Sequence, residues 1–106
     1  IGYSTKWGDG VGDFAPIADF TKTEVCEMGE ALGLPLKYVL KKPDDGLSGV
    51  TDEEKIGFSY EELDQFIRTG KIGENFDKIK RMHQISGHKR MLPPKFETGL
   101  INHFKI

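Results

Sequence analysis

Twice along the chain a hydroxyl residue stands three places before a glutamate, next to an apolar periodic run that a glycine closes. Thr21 with Glu24 introduces Val25, Met28, Ala31 and Leu32 before Gly33; Ser59 with Glu62 brackets the start of Tyr60, Leu63, Phe66 and Ile67 before Gly70. In such a pair the hydroxyl accepts the N–H of the third helical residue and the glutamate reaches back to the capping residue. Two orphan donors are then satisfied before the helix packs on anything. The spacing predicts helices over 21–32 and 60–69. A further helix over about 74–85 follows from Phe76, Ile79 and Met82, with Asp77, Lys78, Lys80 and Arg81 on its polar face and Ser86-Gly87 as its end. Pro35 suits the first turn of a short helix over Leu36, Tyr38, Val39 and Leu40, which Lys42-Pro43 should end.

Little is left for a sheet. The first 16 residues set glycine at alternate places, Gly8, Gly10 and Gly12, and read as loop; one strand is expected around 13–17. A single strand beside half-buried helices would be satisfied by a sheet supplied elsewhere. That expectation agrees with a chain that opens on Ile1, with neither an initiator methionine nor a secretion signal, and is read as an internal start. Its 106 residues make one modest domain or part of one. No apolar run approaches the roughly 20 residues that cross a bilayer, and a formal net charge of −2 gives no electrostatic reason to bind nucleic acid. The single cysteine, Cys26, excludes an intrachain disulfide.

From 41 to 58 the chain is polar, broken by Pro43, Gly46, Gly49 and Gly57, and is read as a long mobile loop, a class that is usually functional or disordered. From 88 to 106, His88-Lys89-Arg90 and then Pro93-Pro94 predict an extended terminal arm lying on other structure.

Several residues carry chemical potential. The glycine-rich segment with Asp9 and Asp13 is no EF-hand, since Val11 and Phe20 stand where oxygen ligands are needed. It also lacks a dinucleotide fingerprint and a P-loop, leaving a bend flanked by Lys6 and Asp13. Lys22 opens a helix, where a cation opposes the dipole; an anion would repair that mismatch, and a solvated lysine is the equal alternative. His88-Lys89-Arg90 joins a titratable ring to two cations suited to phosphate or carboxylate, or is simply solvated surface. Cys26 reads as a small core residue. His83, His88 and His103 lack zinc spacing, so no metal site is assigned within the chain. The acidic clusters Asp44-Asp45 and Asp52-Glu53-Glu54 read as solubilising charge on the loop.

Taken together, Tyr3-Ser4-Thr5-Lys6-Trp7-Gly8-Asp9-Gly10, Asp13, Pro16, Thr21-Lys22-Thr23-Glu24-Val25, Lys42-Pro43, Gly46-Leu47, Thr51-Asp52-Glu53, Gly57-Phe58-Ser59-Tyr60-Glu61-Glu62-Leu63-Asp64 and His88-Lys89-Arg90 before Pro93 resemble, in order, the C-terminal half of NAD synthetase. The likeness covers about residues 2–96. It implies an α/β class protein with a Rossmann-like ATP-pyrophosphatase (adenine nucleotide alpha hydrolase-like) fold, to which this mostly helical chain contributes the C-terminal part. It further implies a cytoplasmic, homodimeric ligase. ATP would adenylate the nicotinate carboxylate of deamido-NAD, and ammonia would displace AMP to leave NAD. Magnesium is the implied cofactor, with its ligands in an N-terminal half that also carries a Ser-Gly-Gly-x-Asp-Ser pyrophosphate loop, so that this part alone should be inactive.

By the same resemblance Lys6, Asp13, His88 and Lys89 would contact deamido-NAD and Lys22 an ATP phosphate, while no catalytic residue is assigned. The Thr5-Lys6-Trp7-Gly8-Asp9 wording resembles the ammonia-dependent form. One departure stands out: the family's Ser or Thr after the loop proline is Asp44 here. A carboxylate beside triphosphate repels it unless magnesium intervenes. The alternative is a noncatalytic nucleotide-binding or interaction module derived from the same fold.

Overall fold

The computed structural model describes residues 1–8, 10–96 and 99. Asp9 of the glycine-rich bend, and residues 97, 98 and 100–106 of the terminal arm with His103 among them, lie outside the described residues. Five helices follow in order: α1 (Lys22–Ala31), α2 (Leu36–Val39), α3 (Asp52–Ile56), α4 (Tyr60–Thr69) and α5 (Phe76–Ile85), with a 3-10 turn at Gly87–Arg90. Among the described residues there is no strand. The one expected around 13–17 is a run of bends and turns, and the only ladder-type pairing is an isolated antiparallel bridge between Asp44 and Thr51.

Local chemistry explains the helix ends. At α1 both halves of the capping box form: Thr21 Oγ1 accepts the Glu24 N–H at 3.3 Å, and Glu24 Oε2 accepts the Thr21 N–H at 2.7 Å. At α4 only half forms. Ser59 Oγ accepts the Glu62 N–H at 3.2 Å, but the Glu62 carboxylate turns to Asn75, taking its N–H at 2.7 Å and its Nδ2 at 2.9 Å. Glu62 thereby ties the start of α4 to the start of α5, and Asn75, its side chain engaged, gives α5 no side-chain cap. Gly70 closes α4 in the left-handed region at φ +72.

The 41–58 segment is less of a loop than its polarity suggests. Thr51 and Glu54 form a complete capping box and open α3, and the segment ends in Ile56 and Phe58, two of the four buried core side chains. Those two meet Leu63 of α4 and Ile79 of α5, with Ile1, Tyr60, Phe66 and Met82 around them. The Phe66 and Phe76 rings meet edge-on at 5.1 Å.

The seam between α1 and α4 is polar instead. Asp64 Oδ2 accepts the Thr23 N–H at 2.7 Å, and Arg68 bonds both the Asp19 carbonyl (2.7 Å) and Glu24 (2.6 Å). Apolar side chains from 11 to 40 stay largely uncovered, among them Phe14 at 82% exposure, Leu32 at 79% and Leu40 at 69%. The radius of gyration is 17.8 Å, against about 13 Å for a compact chain of this length. The core therefore sits at the α3–α4–α5 end, and many of the apolar residues before it, Phe14, Leu32 and Leu40 among them, are left uncovered by the described residues.

Candidate functional site

The two ends of the described chain meet. Lys6, in the irregular N-terminal segment, donates its Nζ to the His88 carbonyl at 3.0 Å across 82 residues of sequence. Lys89, in the turn after α5, sends its Nζ the other way, to the Gly2 and Ser4 carbonyls at 2.7 Å each. Each lysine thus holds the backbone that carries the other. An ammonium has three donors, so Lys6 keeps two and Lys89 one for a further acceptor. Lys6 also lies 5.5 Å from the centre of the Trp7 ring, a cation–π contact that restrains where its charge can swing.

Beside this clasp is a cleft of about 330 Å³ lined by Gly2, Tyr3, Met82, Ser86, His88 and Lys89. His88 sets its Nδ1 3.2 Å from the Ile85 carbonyl. Because a carbonyl only accepts, Nδ1 carries the hydrogen, and in that tautomer Nε2 is the acceptor. Lys89 and the imidazole in the cleft, with the Lys6 ammonium on the His88 carbonyl beside it, suit an anionic ligand with more than one oxygen cluster.

The other two expected contacts stand apart from this group. Asp13 is exposed on its bend, and among the described residues no hydrogen bond or ion pair links it or Lys22 to the clasp. Lys22 is the first residue of α1, as expected, but the start of that helix is not an open anion site. The Glu24 N–H is taken by Thr21 and the Thr23 N–H by the buried Asp64 carboxylate. An anion arriving there would meet a negative group already using the donors, so only the Lys22 ammonium is left to bind it. Cys26 is half-buried with its Sγ 3.4 Å from the Val39 carbonyl, in keeping with a packing role.

The loop before α3 is tied to itself. Asp44 Oδ1 accepts the Gly46 N–H at 2.8 Å; Asp45 accepts from Leu47 N–H, Ser48 N–H and Ser48 Oγ and pairs with Lys55 at 2.5 Å. Lys55 and those N–H groups hold the Asp45 carboxyl well below the usual carboxylate range, and Asp45 in turn raises Lys55, with the Tyr3 hydroxyl contributing. Tyr60, whose hydroxyl lies 3.3 Å from Asp52, is pushed up to about 12 by burial first and by that carboxylate second.

Among the described residues no group of three or more His, Cys, Asp or Glu side chains could hold a metal ion. They do not fit a magnesium site. No helix among them is long and apolar enough to cross a membrane. Two organising residues escaped the sequence reading. The sequence marks Ser86 only as a helix end and Arg90 only as one of two cations beside His88, yet both bond within the turn that carries His88 and Lys89.

The same residues have close counterparts elsewhere. The NH(3)-dependent NAD(+) synthetase of Carboxydothermus hydrogenoformans is 48% identical over 95 residues, which are 88% of this chain and 39% of that protein. That of Archaeoglobus fulgidus is 44% identical over 100 residues, 89% of this chain and 40% of its own length. Among solved structures, the NMN synthetase from Francisella tularensis superposes with a TM-score of 0.79 at 36% identity, over 89% of this chain and 40% of that one. The chain spans about two fifths of the length of the relatives it matches. With residues 1–93 matching the NAD synthase family model across both arms of the lysine clasp, the chain belongs to the NAD synthase family.

Proposed function

We propose that this chain is the dinucleotide-holding, C-terminal part of an NAD synthetase with the Rossmann-like ATP-pyrophosphatase fold, one that amidates deamido-NAD with ammonia at the expense of ATP. The observation that carries this reading is the clasp that brings the Lys6 ammonium to the His88 carbonyl and the Lys89 ammonium to the Gly2 and Ser4 carbonyls, beside a cleft that His88 and Lys89 line. Relatives over 40% identical are named for the ammonia-dependent reaction.

In the reaction the nicotinate carboxylate attacks the α-phosphate of ATP and pyrophosphate leaves. Ammonia then adds to the acyl carbon, and AMP departs as the amide forms. The substrate is a dinucleotide with a diphosphate at its centre. The free Lys6 and Lys89 donors supply charge-assisted bonds to that diphosphate, and His88 Nε2 accepts from a substrate hydroxyl or amino group. Asp13 accepts from a substrate hydroxyl or ring substituent, and Lys22 places its ammonium on an ATP phosphate. These contacts fix the carboxylate for in-line attack, where orientation lowers the barrier by several kcal/mol or more.

Magnesium, when bound, would screen the triphosphate; its ligands belong to residues outside this chain. The full protein acts as a cytoplasmic homodimer. Asp44 binds its own loop through Gly46, so one of its carboxylate oxygens is engaged within the loop.

The test is turnover by the protein at its full natural length, given deamido-NAD, ATP, magnesium and ammonia, with NAD, AMP and pyrophosphate measured. NAD formed in step with AMP supports the reading. Binding of both nucleotides with no NAD would favour a noncatalytic module. The structural neighbour is named an NMN synthetase, so nicotinate mononucleotide belongs in the same assay, and preference for it would reassign the substrate.

A further inference from the structure

The lysine clasp needs a fixed backbone beneath it, and two unassigned residues provide one. The Arg90 guanidinium sends NH1 to Ser86 Oγ at 3.1 Å and NH2 to the His83 carbonyl at 2.8 Å. Ser86 is buried, at 5% exposure, and its Oγ lies 3.1 Å from both the His83 and the Ile1 carbonyls. A hydroxyl has one hydrogen. Both carbonyls lie within its reach, and through the Ile1 carbonyl a path runs from Arg90 through Ser86 to the N-terminal segment. Gly2 follows immediately, at φ +73, so close that a Cβ there would stand 2.1 Å from Ser86 Cβ. The segment bearing Lys6 and the turn bearing His88 and Lys89 are thereby locked together at one point.

We propose that Arg90 and Ser86 are positioning residues for the dinucleotide site: they set the register between the Gly2–Lys6 segment and the Gly87–Arg90 turn, so that Lys6, His88 and Lys89 face one ligand. Each terminal nitrogen of Arg90 has one N–H engaged inside the protein, which fixes the guanidinium on the turn, and the role proposed for it is through that geometry. This assignment rests on the dinucleotide-site reading above.

The experiment is steady-state kinetics of the full-length protein with R90A, R90K and S86A, measuring KM for deamido-NAD, KM for ATP and thermal stability. R90A should raise KM for deamido-NAD about tenfold or more, and S86A about three- to tenfold, the range that charged and neutral hydrogen bonds support. KM for ATP should stay within twofold. R90K is decisive, because a single ammonium does not reproduce the planar fork that reaches both oxygens. A positioning role makes R90K resemble R90A; a ligand-cation role would leave it near wild type and overturn the proposal. Variants that lose only thermal stability, with KM for deamido-NAD unchanged, would overturn it too. Should R90A fail to fold, S86A carries the same test. A wild-type protein without turnover on deamido-NAD would refute the site reading itself, and this assignment with it.

Discussion

Lys89→Met removes one ammonium and keeps most of the side-chain stem, so it separates charge from packing. In the structure that ammonium spends two donors on the Gly2 and Ser4 carbonyls, both at 2.7 Å, and has a third for the ligand. Loss of one charge-assisted bond to a phosphate oxygen costs about 1.5 to 3 kcal/mol. At 1.36 kcal/mol per decade that is roughly a ten- to 150-fold rise in KM for deamido-NAD. The two carbonyl bonds are internal, and at about 0.5 to 1.5 kcal/mol each their loss lowers stability by roughly 1 to 3 kcal/mol. For a protein of family length this is a drop in Tm of about 2 to 4 °C per kcal/mol.

Steady-state kinetics with each substrate varied in turn, beside calorimetry, read both effects. ATP is the internal control, because no bond among the described residues joins Lys89 to Lys22 or to the Asp44–Lys55 loop. An affinity for deamido-NAD within twofold of wild type, or an equal loss for ATP, would refute the placement of Lys89 on the dinucleotide. Lys6 has only one donor on protein, to the His88 carbonyl. Lys6→Met should therefore weaken the dinucleotide at least as much while costing less stability.

Leu63→Ala and Ile79→Ala each empty a buried position, at 6% and 3% exposure, and should cost about 2 to 5 kcal/mol in chemical denaturation; a loss under 1 kcal/mol would mean that the core is elsewhere. Thr51→Ala removes the hydroxyl that caps α3 and should cost about 1 kcal/mol, together with faster protease cleavage between 43 and 55. In the parent sequence, cleavage of that loop should slow when nucleotide is added, and equal rates would count against a lid. Glu24, Asp45, Glu54 and Glu62 are all held below their ordinary values of 4.5 or 3.8, chiefly by Arg68, Lys55, the Thr51 N–H and the Asn75 amide respectively. A depressed folded pKa contributes stability that is fully present above the ordinary value and lost as pH falls through the folded one. Tm should thus decline as pH falls below about 4.5, and a flat Tm down to pH 3 would contradict these pairings. Tyr60 has the opposite sign: with its folded value near 12 and its ordinary value 10.0, the unfolded state sheds the proton first. Stability should therefore fall between those values, and Tyr60→Phe should lessen the fall.

How far the sequence carried is clearest at α3. Thr51-x-x-Glu54 is the same signature that located α1, and it stood in plain view inside a stretch read as loop. Composition hid it: with Pro43, Gly46, Gly49 and Gly57 around it, five helical residues are outvoted in any periodicity window. At α4 the reverse happened. Ser59 and Glu62 marked the helix correctly, but Glu62 left the cap for Asn75, thirteen residues on, because one carboxylate satisfying two donors at the start of α5 outweighs one closing its own box. The strand expected over 13–17 has no partner among the described residues, and without a ladder its backbone bends instead.

The sequence by itself determined α1, α2, α4 and α5, the capped starts and glycine stops of α1 and α4, and the family, because each of these is written in residues close together along the chain. It named Lys6, Asp13, Lys22, His88 and Lys89 one at a time, by resemblance. Only the tertiary structure decided which of them share a site. Lys6 meets His88 and Lys89 because carbonyls of Gly2, Ser4 and His88 are within reach of ammonium groups more than 80 residues distant, and Lys22 finds its helix start already occupied by Asp64. Such matters rest on distances across the fold, set by what α4 and α5 bury between them, and no local pattern encodes them.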